Sequence, residues 1–295
     1  MNFPPSDLNS NGVNSSDAAA KENATSPSQL PSGEEVENGA GRHWLIRRSL
    51  GDVWRGAEAR VARWRNQRGA ASEADGESAA HPELQSLAAS LAGGVVCLDL
   101  ETCGFAGSCI FLVGLLHETA GDLVLSQLLA RDYSEEAAML HSLWEIVSEK
   151  QVLVTFNGKS FDWPCVADRS TLHGLGPMGG ARRRIAAEPA RSESELAESE
   201  LSGLAAPAVH CDVLHHARRR WKAHLPNCRL QTLERWICGR RRVGDIPGSE
   251  IPAVYHRFAR TGDAWELRGV LHHNALDLVT LLQLSMVLAT APNRV

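Results

Sequence analysis

Residues 94–101 read Gly-Val-Val-Cys-Leu-Asp-Leu-Glu, an apolar run that ends in two acids. A short run of β-branched and apolar side chains predicts a buried strand. Side chains alternate between the faces of a strand, so Asp99 and Glu101 should project from the same face. Neighbouring carboxylates are costly to bury unless a cation neutralises them, so the pattern favours a divalent metal site. Taken alone, it also fits a strand end that runs into solvent.

A third acid follows another apolar strand. Residues 151–156 (QVLVTF) predict that strand, and Asn157 and Gly158 supply a turn after it. Asp162 then enters a helix that is predicted to start near residue 160, where its side chain can face the first strand. The alternative is an acid that only complements the helix dipole.

A fourth acid, Asp277, lies in the last helix, predicted over residues 269–289. His273 and Asp277 are four residues apart and share one helix face, and His272 is within reach if it precedes the first full turn. The alternative for either histidine is a hydrogen-bonded residue of the core.

The remaining pattern alternates strands and helices, which indicates an α/β fold. Strands are predicted at 109–117, 123–129 and 208–212, and helices at 132–149, 213–222 and 230–237. The short spacing of the strands at 94–101, 109–117 and 123–129 predicts that they form an antiparallel meander. Residues 174–207 are rich in Gly, Pro, Arg, Ser, Ala and Glu, and are interpreted as an insertion.

The N-terminal third is predicted to lie outside this pattern. Residues 1–41 have few large apolar side chains and are predicted to be disordered. Residues 42–68 carry eight arginines beside an apolar stripe and predict a basic amphipathic helix. That helix would pack on the folded domain or a protein partner, or contact nucleic acid or a membrane surface. Residues 69–81 are interpreted as a linker, and the folded domain as residues 82–291.

Composition limits the function classes. A formal net charge of −5 argues against a protein that coats nucleic acid through bulk charge, but residues 210–271 hold twelve Lys/Arg against six Asp/Glu. The seven cysteines show neither a CxxC pair nor zinc spacing, and they predict a reducing compartment. Neither a leader peptide nor a membrane span is evident in the sequence, and a cytoplasmic location is predicted.

Five separated motifs resemble those of the DEDD 3′→5′ exonuclease superfamily, and within it the YprB-type RNase H-like family. They are LDLETCG, TFNGKSFDWP, HCDVLHHARRRW, CRLQTLERWICGRRRVGDIPGSEIPAVYHRF and VLHHNALDLVTL, in that order between residues 94 and 288. The resemblance implies a mixed sheet flanked by helices, with a site for two divalent cations, Mg²⁺ or Mn²⁺, that hydrolyses phosphodiester bonds.

The resemblance also implies a role for each motif residue. Asp99, Glu101 and Asp277 would bind the first cation, Asp99 would bridge to the second, and Asp162 would ligate directly or through water. A histidine would act as general base. One DEDD subclass has a histidine five residues before the last aspartate, as at His272, and the other has a tyrosine four residues before it, where this chain has His273. The spacing favours His272, and both are retained as candidates.

Nucleic acid, as a single strand or a 3′ end, is the expected partner. The candidate contacts are Gly104, Asn157, Lys159, Arg218, Arg219, Arg220 and Lys222, with Trp163 and Trp221 for base stacking. The arginine run fits a solvated helix equally well, and the tryptophans fit a core. Two alternative functions remain, a catalytically idle module that binds nucleic acid or a partner, and a structure-selective endonuclease.

Overall fold

Seven strands form one mixed sheet in this computed structural model, which describes residues 28–71, 81–90, 93–104, 107–175 and 206–290. The strands are β1 (Glu34–Asn38), β2 (Gly41–Ser49), β3 (Val95–Thr102), β4 (Ile110–Thr119), β5 (Asp122–Leu129), β6 (Val152–Thr155) and β7 (Val209–Asp212). Their order across the sheet is β1-β2-β5-β4-β3-β6-β7. Strands β3, β4 and β5 form an antiparallel meander, and β6 and β7 continue parallel to β3. The predicted α/β fold with its mixed sheet is confirmed.

Helices cover both faces of the sheet. They are α1 (Leu50–Val53), α2 (Ala57–Ala71), α3 (Pro82–Ser90), α4 (Glu136–Ser148), α5 (Asp162–Leu172), α6 (Val213–Trp221), α7 (Leu230–Trp236), α8 (Ile251–Thr261) and α9 (Leu267–Thr290). One face packs on α9 with α2, α3 and α6, and the other on α4 and α5. Burial of these two apolar layers is the main stabilising contribution to the fold.

The N-terminal region departs from the sequence prediction. Residues 34–38 form β1 rather than a disordered tail, and residues 41–49 form β2 rather than the start of a helix. The apolar stripe that predicted the helix begins only at Leu50, so it supports α1 and α2 but not the residues before them. Strand β2 pairs with β5 along six residues, which places the beginning of the folded unit well before residue 82.

The rest of the predicted basic helix packs on the domain. Val61 and Trp64 of α2 are buried, and the Trp64 indole N–H donates to the Met286 carbonyl at 2.9 Å. Residues 69–71 of the predicted linker belong to α2. Residues 1–27 of the predicted tail, 72–80 of the linker and 176–205 of the insertion lie outside the described residues.

The other predicted elements are confirmed with small shifts of their ends, and α3 and α8 were not predicted. Asp132 accepts from the Ser134 amide at 2.8 Å at the start of a short 3₁₀ turn before α4. Within the described ranges, no helix is both long and apolar enough to cross a membrane.

Candidate metal centre

Strand β3 carries the first two acids of the site. Val95 and Cys97 face the core layer that contains α9, whereas Val96, Leu98 and Leu100 face the opposite layer. Because side chains alternate, Asp99 and Glu101 continue the row of Val95 and Cys97 toward α9. The prediction that both acids share one face agrees with this arrangement.

A polar row across three strands positions Asp99 against α9. Asp99 is opposite Gly114 on β4, and Gly114 is opposite Gln127 on β5. Asn274 of α9 lies over this row, where its amide donates to Asp99 Oδ2 at 2.8 Å and its carbonyl accepts from Gln127 at 2.9 Å. A Cβ on Gly114 would lie 2.2 Å from Asn274 Oδ1, so only glycine allows the helix to come this close.

The turn after β6 brings Asp162 to the same edge. Asn157 has a left-handed φ of 67°, and its amide and that of Lys159 donate to the buried carboxylate of Asp212 at 2.9 and 3.2 Å. The same carboxylate accepts from the Leu214 amide at 3.1 Å, so Asp212 organises both this turn and the start of α6. Asp162 follows as the first residue of α5.

Asp277 of α9 lies beside a network that the sequence did not predict. Arg242 forms ion pairs with Asp277, with Asp245 at 3.1 Å and with Glu234 at 2.7 Å. His273 lies between two of these acids, because its Nδ1 is 2.9 Å from Asp245 Oδ1 and its Nε2 is 3.5 Å from Asp277 Oδ2. The signal for these residues was the RRRVGD segment of the fourth motif, which spacing alone could not connect to Asp277.

The two candidate histidines occupy different environments. His273 is buried within this network, whereas His272 is exposed. The structure therefore brings His273, and not His272, into contact with a candidate metal ligand.

The surroundings of the four acids raise the pKa of each carboxyl group. Burial, followed by repulsion from Asp277, Glu101 and Asp162, raises the pKa of Asp99 well above its usual range. Burial and neighbouring carboxylates raise the pKa of Glu101 in the same direction, and burial raises the pKa of Asp162 to about 7. Burial also raises the pKa of Asp277, although Arg242 and His273 oppose the effect.

The four acids differ in whether they form an ion pair. Asp277 has a cationic partner in Arg242, but in the described structure Asp99, Glu101 and Asp162 have no ion pair. Buried carboxylates without a cation are unstable when ionised, and a divalent cation would remove that penalty. The residues present therefore fit a bound cation in charge and in ligand chemistry.

Three of the four acids line an open cleft, here called the carboxylate cleft. Asp99, Asp162 and Asp277 line it together with Asn157, Arg218 and Arg229. Of the predicted basic contacts, Arg218 thus reaches the cleft, and Arg229 is an addition that sequence reasoning missed. Arg219, Arg220 and Lys222 are exposed but do not line the cleft.

The remaining predicted contacts lie in other surroundings. Lys159 is paired with Glu83 at 2.6 Å, and Gly104 lies just after β3 with a φ of +152°. Trp163 and Trp221 are half-buried and pack against the core layers, as the alternative for both residues proposed. The exposed tryptophans are Trp236 and Trp265, at 60% and 63% exposure.

A second group of metal-ligating side chains lies nearby. The donor atoms of His81, Glu83 and His216 all lie within 4.8 Å of one another, a limit that no three of the candidate acids meet in the described part of the chain. Glu83 is already satisfied, because it accepts from Lys159 and pairs with His216 at 2.9 Å. We interpret this group as the contact that anchors α3 to α6.

A mixed sheet in which parallel strands continue an antiparallel meander, with acids at the end of β3 and on the terminal helix, defines an RNase H-like protein. Residues 96–289 match the family model of the RNase H superfamily, and the chain belongs to that superfamily. It is similar to the uncharacterised protein YprB of Bacillus subtilis strain 168, with 34% identity over 191 residues. That match covers 63% of this chain and 40% of YprB, so the chain spans less than half of the relative's length. The predicted resemblance to YprB is confirmed.

Among solved structures, the family B DNA polymerase of the hyperthermophilic archaeon Pyrobaculum calidifontis is similar to this chain with a TM-score of 0.46 and 15% identity. The similarity covers 64% of this chain and 24% of the polymerase. A score of this size does not bear on function.

Proposed function

We propose that the chain is a metal-dependent nuclease that hydrolyses phosphodiester bonds and removes nucleotides from the 3′ end of nucleic acid. One observation carries this proposal. Acids from β3, α5 and α9 line one cleft, and two of them, Asp99 and Asp162, have no cationic partner in the described structure, nor has the neighbouring Glu101. A fold does not by itself define a function, so the proposal depends on this site.

The acids would hold two divalent cations. Following the resemblance, Asp99, Glu101 and Asp277 would hold the cations, with Asp162 contributing directly or through water. When bound, Mg²⁺ or Mn²⁺ would activate a water and stabilise the leaving 3′ oxygen. In the described structure no three of these acids bring their oxygens as close together as the donor atoms of His81, Glu83 and His216, so rotation of their side chains would have to draw them together around the cations.

His273 is the better placed general base. An ionised carboxylate can only accept, so the contact with Asp245 assigns a proton to His273 Nδ1, and Nε2 is the ring nitrogen that faces Asp277 and would serve as the base. Although burial opposes ionisation of Asp245, hydrogen bonds from His273 and Arg242 hold its pKa below the usual range. Asp245 thus acts as a positioning residue for the imidazole.

The activity is tested with 5′-labelled single-stranded and duplex DNA and RNA, each incubated with Mg²⁺, with Mn²⁺ or with EDTA. We expect a metal-dependent ladder that shortens stepwise from the 3′ end, and loss of the ladder in Asp99→Asn. A circular single strand separates the modes, because an exonuclease leaves it intact and an endonuclease opens it. Absence of any metal-dependent product would favour an idle binding module.

The histidines are tested by single substitutions. We expect His273→Ala to lower the metal-dependent rate by about 100-fold, the usual contribution of a general base. Asp245→Asn should lower the rate less and shift the acidic limb of the pH–rate profile, since it changes the orientation and basicity of the imidazole. A larger loss in His272→Ala than in His273→Ala would show that the spacing, and not the contact geometry, identifies the base.

A further inference from the structure

Helix α7 separates two open clefts. The carboxylate cleft lies on one side, lined in part by Arg229 and Leu230. The second, here called the arginine cleft, is lined by Gln231, Glu234, Arg235, Arg240, Arg241 and Arg242, together with the segment that follows them. Arg242 joins the two clefts, because it lines the second and forms an ion pair with Asp277 of the first.

The acids of the arginine cleft are fully occupied. Glu234 is 1% exposed and accepts from Arg240 Nε at 2.6 Å and from Arg242 Nε at 2.7 Å. Asp245 accepts from Arg242 and pairs with His273. These acids therefore hold Arg240 and Arg242 in place but leave no charge to neutralise the other arginines.

Arg235 and Arg241 remain as uncompensated charges. Both are exposed, and neither has an ion pair in the portion of the chain described here. Gly239 and Gly244, with φ of 68° and 70°, adopt left-handed turns on either side of the 240–242 arginines and present them on one short loop. Trp236, beside Arg235, exposes 60% of its surface and offers a ring for stacking.

We propose that the arginine cleft is a second nucleic-acid subsite. It would bind the phosphodiester backbone of the same strand whose reacting bond lies in the carboxylate cleft, and this inference rests on the proposed nuclease function. A polyanion is the ligand that suits two exposed guanidinium groups beside an aromatic ring, and the ion pair between Arg242 and Asp277 makes this surface continuous with the candidate metal centre.

The test measures binding of a labelled single strand of about 16 nucleotides by fluorescence anisotropy, in EDTA so that hydrolysis does not interfere. The full chain is compared with the double variant Arg235→Ala/Arg241→Ala. Arg260→Ala is a matched control, because Arg260 is exposed on α8, lines neither cleft and has no ion pair in the described structure. The double variant Arg235→Lys/Arg241→Lys keeps the charge.

We expect the alanine double variant to bind about tenfold more weakly at moderate salt, as the loss of two exposed charge contacts implies. The slope of log affinity against log salt should fall by about 1.4, because each phosphate contact of a single strand contributes about 0.7. Arg260→Ala and the lysine variant should bind nearly as wild type. Thermal unfolding of all variants verifies that they fold equally.

The outcomes distinguish the two proposals. If the wild type degrades nucleic acid but the alanine variant keeps the affinity and salt slope of Arg260→Ala, the second subsite is wrong and the nuclease proposal stands. If the wild type neither binds nor degrades any of the nucleic acids, both proposals are wrong.

Discussion

Replacing Asp99 with asparagine should stabilise the protein when no divalent cation is present. The half-buried Asp99 carboxylate lies near Glu101, Asp162 and Asp277, and it has no cationic partner in the described ranges. Its one side-chain partner is the amide of Asn274, and an asparagine oxygen can accept that hydrogen bond equally well. The substitution therefore removes repulsion while it keeps the contact that positions the strand against α9.

The expected change in the free energy of unfolding follows from the repulsion between the carboxylates. Two like charges about 6 Å apart at an effective dielectric constant of about 20 repel by about 3 kcal/mol. The raised pKa values show that the acids already avoid full ionisation, so the relief is smaller than this limit. We expect Asp99→Asn to raise the free energy of unfolding by about 2 kcal/mol in EDTA at pH 8.

The assay is urea unfolding of the full chain in EDTA and again with Mn²⁺. A cation at about 100 times its dissociation constant would stabilise the wild type by about 2.7 kcal/mol, whereas it should stabilise Asp99→Asn much less. The difference in the free energy of unfolding between the two proteins should therefore become smaller or change sign. Asp122→Asn is the matched control, because Asp122 is exposed at the β4–β5 turn, at the opposite end of the sheet. The reasoning is refuted if Asp99→Asn destabilises the metal-free protein, or if it gains as much from Mn²⁺ as the wild type.

Three further predictions test the fold. A chain that begins at residue 82 lacks β2 and leaves the edge of β5 unpaired, so we expect it to aggregate on a sizing column, whereas a chain that begins at residue 28 should remain monodisperse. Trp64→Phe removes the hydrogen bond to Met286 and should lower the free energy of unfolding by about 1 kcal/mol in urea; no change would mean that α2 is not docked on α9. Burial lowers the pKa of His117 to about 4, so the folded state disfavours its proton, and stability should be full above pH 6.5 and fall toward pH 4 by up to about 3 kcal/mol. His117→Gln should flatten this part of the pH dependence, and an unchanged profile would contradict the assignment.

Local pattern was sufficient for the central elements. The 94–101 strand and the strand before Asp162 are short β-branched, apolar runs followed by acidic or turn residues, and the last helix has a helical apolar period. The shared face of Asp99 and Glu101 follows from the strand repeat alone. These features depend on residues within a few positions of one another, and such local features can be predicted from a sequence.

The pairing between distant segments could not be predicted from the sequence. Strand β2 is buried by contact with β5, about 80 residues later in the chain, and its own composition of arginine and apolar residues fits a helix as readily. Lys159 was predicted to contact nucleic acid, but Glu83 of a helix before β3 neutralises it. The choice between a free and a paired charge depends on which segments meet, and no local period carries that information.

The sequence by itself determined the order of strands and helices from β3 to α7, the last helix, and the residue types of the candidate metal centre, because these follow from local spacing. Only the tertiary structure decided which histidine faces Asp277, that Asp245 and Arg242 accompany it, and that Asp99 has no cationic side-chain partner among the described residues. The reason is that compensation of a buried charge depends on distances between segments that the fold, and not the chain, brings together.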